Sequence, residues 1–141
     1  MAPIPAAPLP PELATYLAAP RLAVVATLRS DGAPVTVATW YGLEGDRLLL
    51  SMDETRVRLA HLRRDPHVAL TVLDDEWSRH LSLLGTVETL REDRGLADID
   101  AITRRSTGEP WPDRGDRRLT AVVRVGRWHT WGGPGEMSGD G

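Results

Sequence analysis

The residues best suited to chemistry in this sequence stand close together between positions 51 and 58. Ser51 and Thr55 carry hydroxyl groups there, and Arg56 and Arg58 carry guanidinium groups. A strand is predicted to end and a helix to begin within the same stretch, so free backbone N–H groups join these donors. Donors of this kind bind phosphate through charge and hydrogen bonds together. The stretch therefore predicts an anion site, and a solvated helix face is the alternative that the residues alone leave open.

Several other kinds of chemistry are excluded by composition. All seventeen basic residues are arginine, so Schiff-base chemistry on lysine is excluded. Cysteine is absent, which removes thiol catalysis and disulfides and is compatible with the cytoplasmic location that we expect. No nucleophile–base constellation or pair of carboxylates is evident, which disfavours hydrolysis. We predict no metal site. The four histidines, His61, His67, His80 and His129, are not spaced from any carboxylate in the way that metal ligands are.

Length and charge limit the partners that the chain can have. A chain of 141 residues is long enough to bury a core, and we expect one domain over residues 1–141. Its net charge of −3 argues against a nucleic-acid partner. The apolar runs are shorter than the roughly 20 residues of a membrane span, so no membrane partner is expected. Residues 1–11 carry five prolines and predict an irregular arm, and residues 132–141 predict a loose, Gly-rich tail.

The pattern of apolar residues and turn signals predicts a mainly β fold with short helices. Strands are predicted over residues 21–29, 34–41, 47–52, 67–73, 80–90 and, as one or two strands, 119–131. Turn residues at 30–32 and 42–46 predict that the first three strands form a meander, and residues 74–77 predict a second hairpin. Helices are predicted at 12–18, at 55–64 and from residue 96. Six or seven mostly antiparallel strands with flanking helices outline a small closed or half-open barrel.

Residues 22–131 resemble the pyridoxamine 5′-phosphate oxidase-like split β-barrels, and within them the actinobacterial branch that uses the deazaflavin coenzyme F420. The matching motifs, in chain order, are Asp31-Gly32-Ala33-Pro34, Thr39-Trp40-Tyr41, Ser51 with Arg56 and Arg58, and Leu62-Arg63-Arg64-Asp65-Pro66-His67-Val68-Ala69-Leu70. No single motif is specific, but their order and spacing together are. The resemblance implies a homodimeric split β-barrel that transfers a hydride between coenzyme F420 and a planar, unsaturated small-molecule substrate.

The resemblance also implies which residues form the cofactor site. In similar proteins the cofactor phosphate binds at the basic helix start, which implies Arg56 and Arg58, with Ser51 and Thr55 as hydroxyl donors. The tricyclic ring lies against the second and third predicted strands, which implies Thr36, Ala38, Thr39, Trp40 and Met52. The partner subunit is implied to bring Trp77, Arg79 and His80 near the ring or tail. Apart from the resemblance, we expect that Trp128, His129 and Trp131 in the last strand serve in dimer packing.

Three points stay open on the sequence alone. FMN is the alternative cofactor, since both cofactors present a ribityl phosphate and a flat ring, and a non-catalytic flavin- or tetrapyrrole-binding protein is a further alternative. For the proton that accompanies the hydride, Tyr41 and His80 are weak candidates beside solvent. The surplus arginines that would suit the negatively charged tail of the deazaflavin are Arg63, Arg64 and Arg79. The substrate is not indicated by any motif.

Overall fold

The computed structural model describes residues 9–76 and 78–132 and the backbone of residues 138–140. In chain order the helices and strands are α1 (Pro11–Ala18), β1 (Leu22–Leu28), β2 (Pro34–Thr39), β3 (Gly42–Glu44), β4 (Arg47–Asp53), α2 (Val57–Arg64), β5 (His67–Leu73), β6 (His80–Glu92), a 3-10 turn (Arg94–Leu96), α3 (Ala97–Thr107), β7 (Arg118–Trp131) and β8 (Ser138–Asp140). Trp77, most of the predicted N-terminal arm and part of the predicted tail lie outside the described residues.

The strands in the described part of the chain form a single antiparallel sheet. Their order is β2-β1-β5-β6-β7-β4-β3, and the short strand β8 pairs with β7. The predicted hairpins are confirmed: β1 pairs with β2 across the turn at Gly32, and β5 pairs with β6. The mainly β class and the short flanking helices are confirmed as well. The arrangement is that of a split β-barrel, in which β2 and β3 are the two ends of the sheet.

The predicted meander of the first three strands is wrong. β2 pairs only with β1, whereas β4 pairs with β7 on one side and with β3 on the other. The segment 42–46, predicted as a turn, contains β3, and only Gly45 and Asp46 turn the chain. Leu48, Leu49 and Leu50 are all buried, as their run predicts, so β4 needs a neighbour on each side and a cover on each face. Local turn signals do not reveal that one neighbour lies about seventy residues further on.

Two layers cover the faces of β4. Leu48, Leu50 and Met52 point into the main core, which α1 closes with the fully buried Leu13 and Leu17. Because side chains alternate along a strand, Leu49 lies on the opposite face of β4. There it packs with Ile102 of α3 and Val122 of β7 in a second cluster. Ser51 and Asp53 lie on this second face as well. The face of β4 that carries polar groups is therefore the one that α3 only partly covers.

Gly85 provides a test of the packing at the β6–β7 bulge. The register shifts between Leu84 and Gly85, and a Cβ atom at Gly85 would lie 2.6 Å from Cγ1 of Val123 and 3.0 Å from the carbonyl oxygen of Arg124. Gly85→Ala is expected to destabilise the fold by about 1–3 kcal/mol, the usual cost of overpacking. The matched control is Gly126→Ala, whose nearest atom would lie at 3.5 Å. Equal melting temperatures for the two variants would contradict this account.

Candidate functional site

A cleft of about 610 Å³ lies between the edge strand β2 and the strand β4. Its walls come from β2, β4, the start of α2, α3 and the loop that leads into β7. The residues that line it are Leu22, Val37, Ala38, Thr39, Trp40, Ser51, Asp53, Arg56, Arg58, Ile99, Ile102, Trp111, Asp113, Asp116 and Arg118. Apolar side chains, three arginines and three aspartates thus meet in one concave surface, and the apolar wall together with the arginines suits a ligand with a flat ring and an anionic group.

Strand β2 is unusually open for a strand of this apolar composition. Residues 34–38 are all exposed, and Val35 and Val37 are among the exposed large hydrophobic residues. β1, by contrast, buries alternate residues in the core. β2 has a hydrogen-bonded neighbour on one side only, and nothing in the described residues covers its faces. This exposed surface forms the apolar wall of the cleft.

Asp53 organises the turn between β4 and α2. One of its carboxylate oxygens accepts hydrogen bonds from the backbone N–H of Thr55 at 2.9 Å and from the Thr55 hydroxyl. The other oxygen accepts from Nε of Arg56 at 2.8 Å. These bonds, led by the one from the Thr55 hydroxyl, hold the pKa of Asp53 below its usual value. Arg56 is thereby committed to an ion pair, although its side chain is 61 % exposed.

Arg58 and Arg118 meet at Ser51. Nη2 of Arg58 donates to the Ser51 carbonyl oxygen at 3.2 Å, and Nε of Arg118 donates to the Ser51 hydroxyl oxygen at 3.0 Å. Burial lowers the pKa of Arg58, and the positive charges of Arg56 and Arg118 lower it further. Arginine still remains protonated under ordinary conditions. Ser51 therefore contacts two partly dehydrated cations, and an arrangement of this kind is suited to binding an anion.

Arg118 and Trp111 belong to the cleft but were missed in the sequence. The guanidinium carbon of Arg118 lies 4.7 Å from the ring centroid of Trp111, in a cation–π contact. Arg118 pairs with Asp53 across the β4–β7 register, so its place follows from a long-range pairing that the predicted meander did not include. The one signal available was a charged residue directly before the apolar run of β7.

The structure brings together only part of the predicted cofactor-binding set. Six of the predicted residues line the cleft, namely Ala38, Thr39, Trp40, Ser51, Arg56 and Arg58. Thr36 and Thr55 line a neighbouring pocket of about 350 Å³, which shares Arg56 and Arg58 with the cleft. Arg79 lines another pocket, which shares Trp40. The two arginines at the start of α2 are therefore accessible from two sides.

Two of the predicted site residues are corrected by their burial. The side chain of Met52 is fully buried in the main core, because the alternation of β4 points it away from Ser51. The Tyr41 hydroxyl is buried and donates to the Leu17 carbonyl oxygen at 2.9 Å, and burial raises the pKa of Tyr41. Neither side chain can contact a ligand in the cleft, so Tyr41 is not a proton donor there. His80 begins β6 opposite Leu73 and stays a prediction.

Two further arrangements, a metal-binding cluster and a membrane-spanning helix, are absent from the described residues. Within residues 9–76 and 78–132, no cluster of three or more His, Asp or Glu side chains is arranged to hold a metal ion. The same part of the chain contains no helix long and apolar enough to cross a membrane. The histidines make ordinary hydrogen bonds instead, with Nδ1 of His61 lying 2.9 Å from the Thr27 hydroxyl and Nδ1 of His67 lying 2.7 Å from Asp65.

The lowered pKa of Asp53 predicts a loss of stability in acid. Because the folded-state pKa lies below the unfolded value of about 3.9, the unfolded chain binds more protons between the two values. The stabilisation is therefore present above about pH 4 and is lost as the pH falls through the folded-state pKa. Melting temperatures measured from neutral pH downward are expected to fall less steeply for Asp53→Asn than for the parent protein. If Asp53→Asn and the exposed neighbour variant Glu54→Gln gave equal slopes, the role of Asp53 would be refuted.

The antiparallel split barrel places this chain in a known family of proteins. The sequence model of pyridoxamine 5′-phosphate oxidase matches residues 9–132, and the chain belongs to this family. A solved structure described as an F420 reductase is 30% identical, with a TM-score of 0.75, and the match covers 85% of this chain and 98% of that one. No protein in the curated set matches the sequence.

Two further solved structures share the fold at lower identity. A conserved hypothetical protein from Mycobacterium tuberculosis is 23% identical, with a TM-score of 0.72, over 93% of this chain and 89% of that one. A pyridoxamine 5′-phosphate oxidase-related, FMN binding protein from Nostoc punctiforme is 12% identical, with a TM-score of 0.62, over 90% and 81% of the two chains. At these identities the likeness concerns the fold alone.

Proposed function

We propose that this protein is a coenzyme F420-dependent reductase that passes a hydride to a planar, unsaturated organic substrate. The observation that carries the proposal is the arginine cluster at Ser51, in a cleft whose lining also includes apolar side chains and the carboxylates of three aspartates. The 30% identity to a protein described as an F420 reductase, over nearly the whole length of that chain, supports the deazaflavin rather than FMN.

The residues of the cleft are chemically suited to such a cofactor. Among the described residues, Arg58 makes one side-chain hydrogen bond, so most of its five N–H donors are free for a phosphate. The first turn of α2 adds backbone N–H groups that have no helical acceptor. The exposed wall of β2, with Val37 and Trp40, offers an apolar surface for a ring. The donor set and the flat wall together match a phosphate joined to an aromatic ring system.

The side chains of this chain bind and orient rather than react. When bound, the reduced deazaflavin supplies the hydride. Arg58 fixes the anionic end of the cofactor, and the wall formed by β2 holds the ring and excludes water from one of its faces. The buried Tyr41 hydroxyl is directed at α1, so the accompanying proton comes from solvent or from a group outside the described cleft. Catalysis in this scheme rests on alignment and exclusion of water.

The proposal includes a homodimer. The outer face of β1, β5, β6 and β7 carries a groove of about 660 Å³, whose apolar lining includes Val24, Ala26, Ala69, Leu84 and Trp128. Leu84 is 54 % exposed at the centre of the β5–β6 pairing. An exposed apolar face of this kind on a small domain is typical of an association surface. A second copy of the chain is the partner that we propose for this groove.

A fluorescence titration tests the cofactor assignment directly. The purified protein is added to oxidised coenzyme F420 at fixed concentration, and a saturable change in the cofactor's fluorescence at micromolar protein is expected. FMN and riboflavin serve as comparisons, since they differ from each other by the phosphate. A yellow protein that releases FMN on heating and does not respond to F420 would assign the site to FMN instead. Absence of a response to either cofactor would reject a flavin-type site altogether.

A further inference from the structure

Arg118 is a buried cation without a counter-ion in contact. The residue is only 7 % exposed, and its sole side-chain hydrogen bond in the described residues is the one from Nε to the neutral hydroxyl of Ser51. No carboxylate among those residues lies within ion-pair distance of its guanidinium group. An ionised group removed from water is costly unless it is paired. The terminal amino groups of Arg118 are therefore buried without the hydrogen-bond acceptor or counter-ion that would offset the cost of removing them from water.

The nearest carboxylates are already engaged elsewhere. Asp53 accepts from Thr55 and Arg56, and Asp93 accepts from the backbone N–H groups of Asp98 and Ile99 at 2.8 and 2.9 Å. Asp116 lies in an exposed loop beside Asp113, whose negative charge raises the pKa of Asp116. These charges act on Arg118 from a distance and partly offset the effect of burial, which lowers the pKa of Arg118. None of them supplies a hydrogen-bonded oxyanion.

A second unsatisfied donor lies beside Arg118. The indole Nε1–H of Trp111 is buried and has no hydrogen-bond partner in the described part of the chain. The ring of Trp111 is the one that stacks against the Arg118 guanidinium, and both residues line the cleft. The loop that carries Trp111 is itself anchored, because the Trp111 backbone N–H donates to Asp100 at 3.0 Å. The Trp111 indole N–H and the terminal amino groups of Arg118 are thus neighbouring donors without an acceptor in the described residues.

We propose that Arg118 and the Trp111 indole N–H bind an oxyanion in the cleft, a phosphate or a carboxylate of the bound molecule. This assignment rests on the proposed function and extends it, because Arg118 shares Ser51 with Arg58 in the same cleft but belongs to β7, and Trp111 belongs to the loop before β7. A guanidinium group offers paired N–H donors that match either oxyanion, and a neighbouring indole N–H adds a third. Ser51 positions Arg118 for this contact by holding Nε, which leaves the terminal amino groups for the ligand.

Titration with small anions tests the site without any flavin cofactor. The indole N–H signals of the five tryptophans are recorded in a ¹⁵N-labelled sample, and Trp111→Phe assigns the Trp111 signal. Inorganic phosphate and acetate are added separately, with ionic strength held constant by sodium chloride. A saturable downfield shift of the Trp111 signal is expected for at least one of the two. Preference for phosphate points to a phosphate group as the natural ligand, and preference for acetate to a carboxylate of the substrate.

Variants of Arg118 distinguish a binding role from a structural one. Arg118→Met is expected to weaken the anion response at least about tenfold, the usual effect of losing a charge-assisted contact. Its melting temperature without anion is expected to stay equal or rise, because an unpaired buried charge is removed. Arg117→Met is the control, since Arg117 is adjacent but exposed, and its response should match that of the parent protein.

Two outcomes would overturn the proposal. An anion response in Arg118→Met as strong as in the parent protein would place the site elsewhere. No saturable shift of the Trp111 signal in the parent protein with either anion would show that the two donors do not bind oxyanions. If Arg118→Met fails to fold, Arg118→Lys keeps the charge but loses the paired donors, and a weakened response with an unchanged fold is then the expected result.

Discussion

Replacement of Arg58 by alanine is expected to weaken binding of coenzyme F420 by about 1.5–3 kcal/mol, the range for hydrogen bonds to a charged group. The reason is that Arg58 is half-buried and has free donors, so its contact with an anion is only weakly screened by water. Arg56→Ala is expected to cost less, because Arg56 is more exposed and already paired with Asp53. The double variant is expected to lose saturable binding in the fluorescence titration at micromolar protein.

The controls for this prediction concern charge and folding. Arg104→Ala removes an exposed arginine of α3 and should leave the dissociation constant unchanged. Melting temperatures of all variants are compared first, since loss of the Arg58 side chain also removes a bond to the Ser51 carbonyl. Equal binding by the double variant and the parent protein would show that the start of α2 is only a solvated helix face, which is the alternative that the sequence leaves open.

Leu84→Glu is expected to convert the proposed homodimer into a monomer. The substitution places a charge in the apolar groove on the outer face of β5 and β6. Association of two copies would bury this charge without a counter-ion, which is unfavourable. Light scattering should then report a mass of 15.5 kDa in place of twice that value. Because the resemblance to the family implies that both copies contribute to the site, cofactor binding should weaken at least about tenfold as well.

Thr89→Glu is the matched control for the dimer, since Thr89 is an exposed residue of the same strand outside the groove. It should leave both the mass and cofactor binding unchanged. A monomeric mass for the parent protein would reject the dimer outright. A dimeric Leu84→Glu variant would show instead that the two copies associate through a different face.

Local patterns in the sequence were sufficient for most of the elements. The alternation in residues 67–73 and 80–90, the turn at Gly32 and the proline after Asp65 each depend on neighbours along the chain. The structure shows the corresponding strands and the short helix between residues 57 and 64. The predicted hairpins were right for the same reason, because a hairpin is closed by its own turn residues.

The pairing of β4 could not be predicted in this way. Its partner β7 is distant in the chain, and burial of β4 on both faces leaves no alternation of buried and exposed residues that would show which strands lie beside it. This one pairing decides the site, because it brings Arg118 to Ser51 and directs Met52 into the core. Tyr41 was similarly misread, since a tyrosine that follows an exposed strand gives no sign that its hydroxyl bonds to α1. Residue types pointed to Arg56 and Arg58, which line the cleft but whose role stays a prediction, and the long-range register places Arg118 beside them.

The distance in sequence between Ser51 and Arg118 also has a consequence for how the protein is made. The hydrogen bond between them joins residues 67 positions apart, and β7 is the last long strand of the chain. Pairings of such high sequence separation form late, because the loop must close before the contact stabilises it. A nascent chain that has folded its first two hairpins therefore still lacks the ligand site. Under the proposed function, cofactor binding therefore requires the completed pairing of β7 with β4, and the cofactor is expected to stabilise the folded chain against the unfolded one.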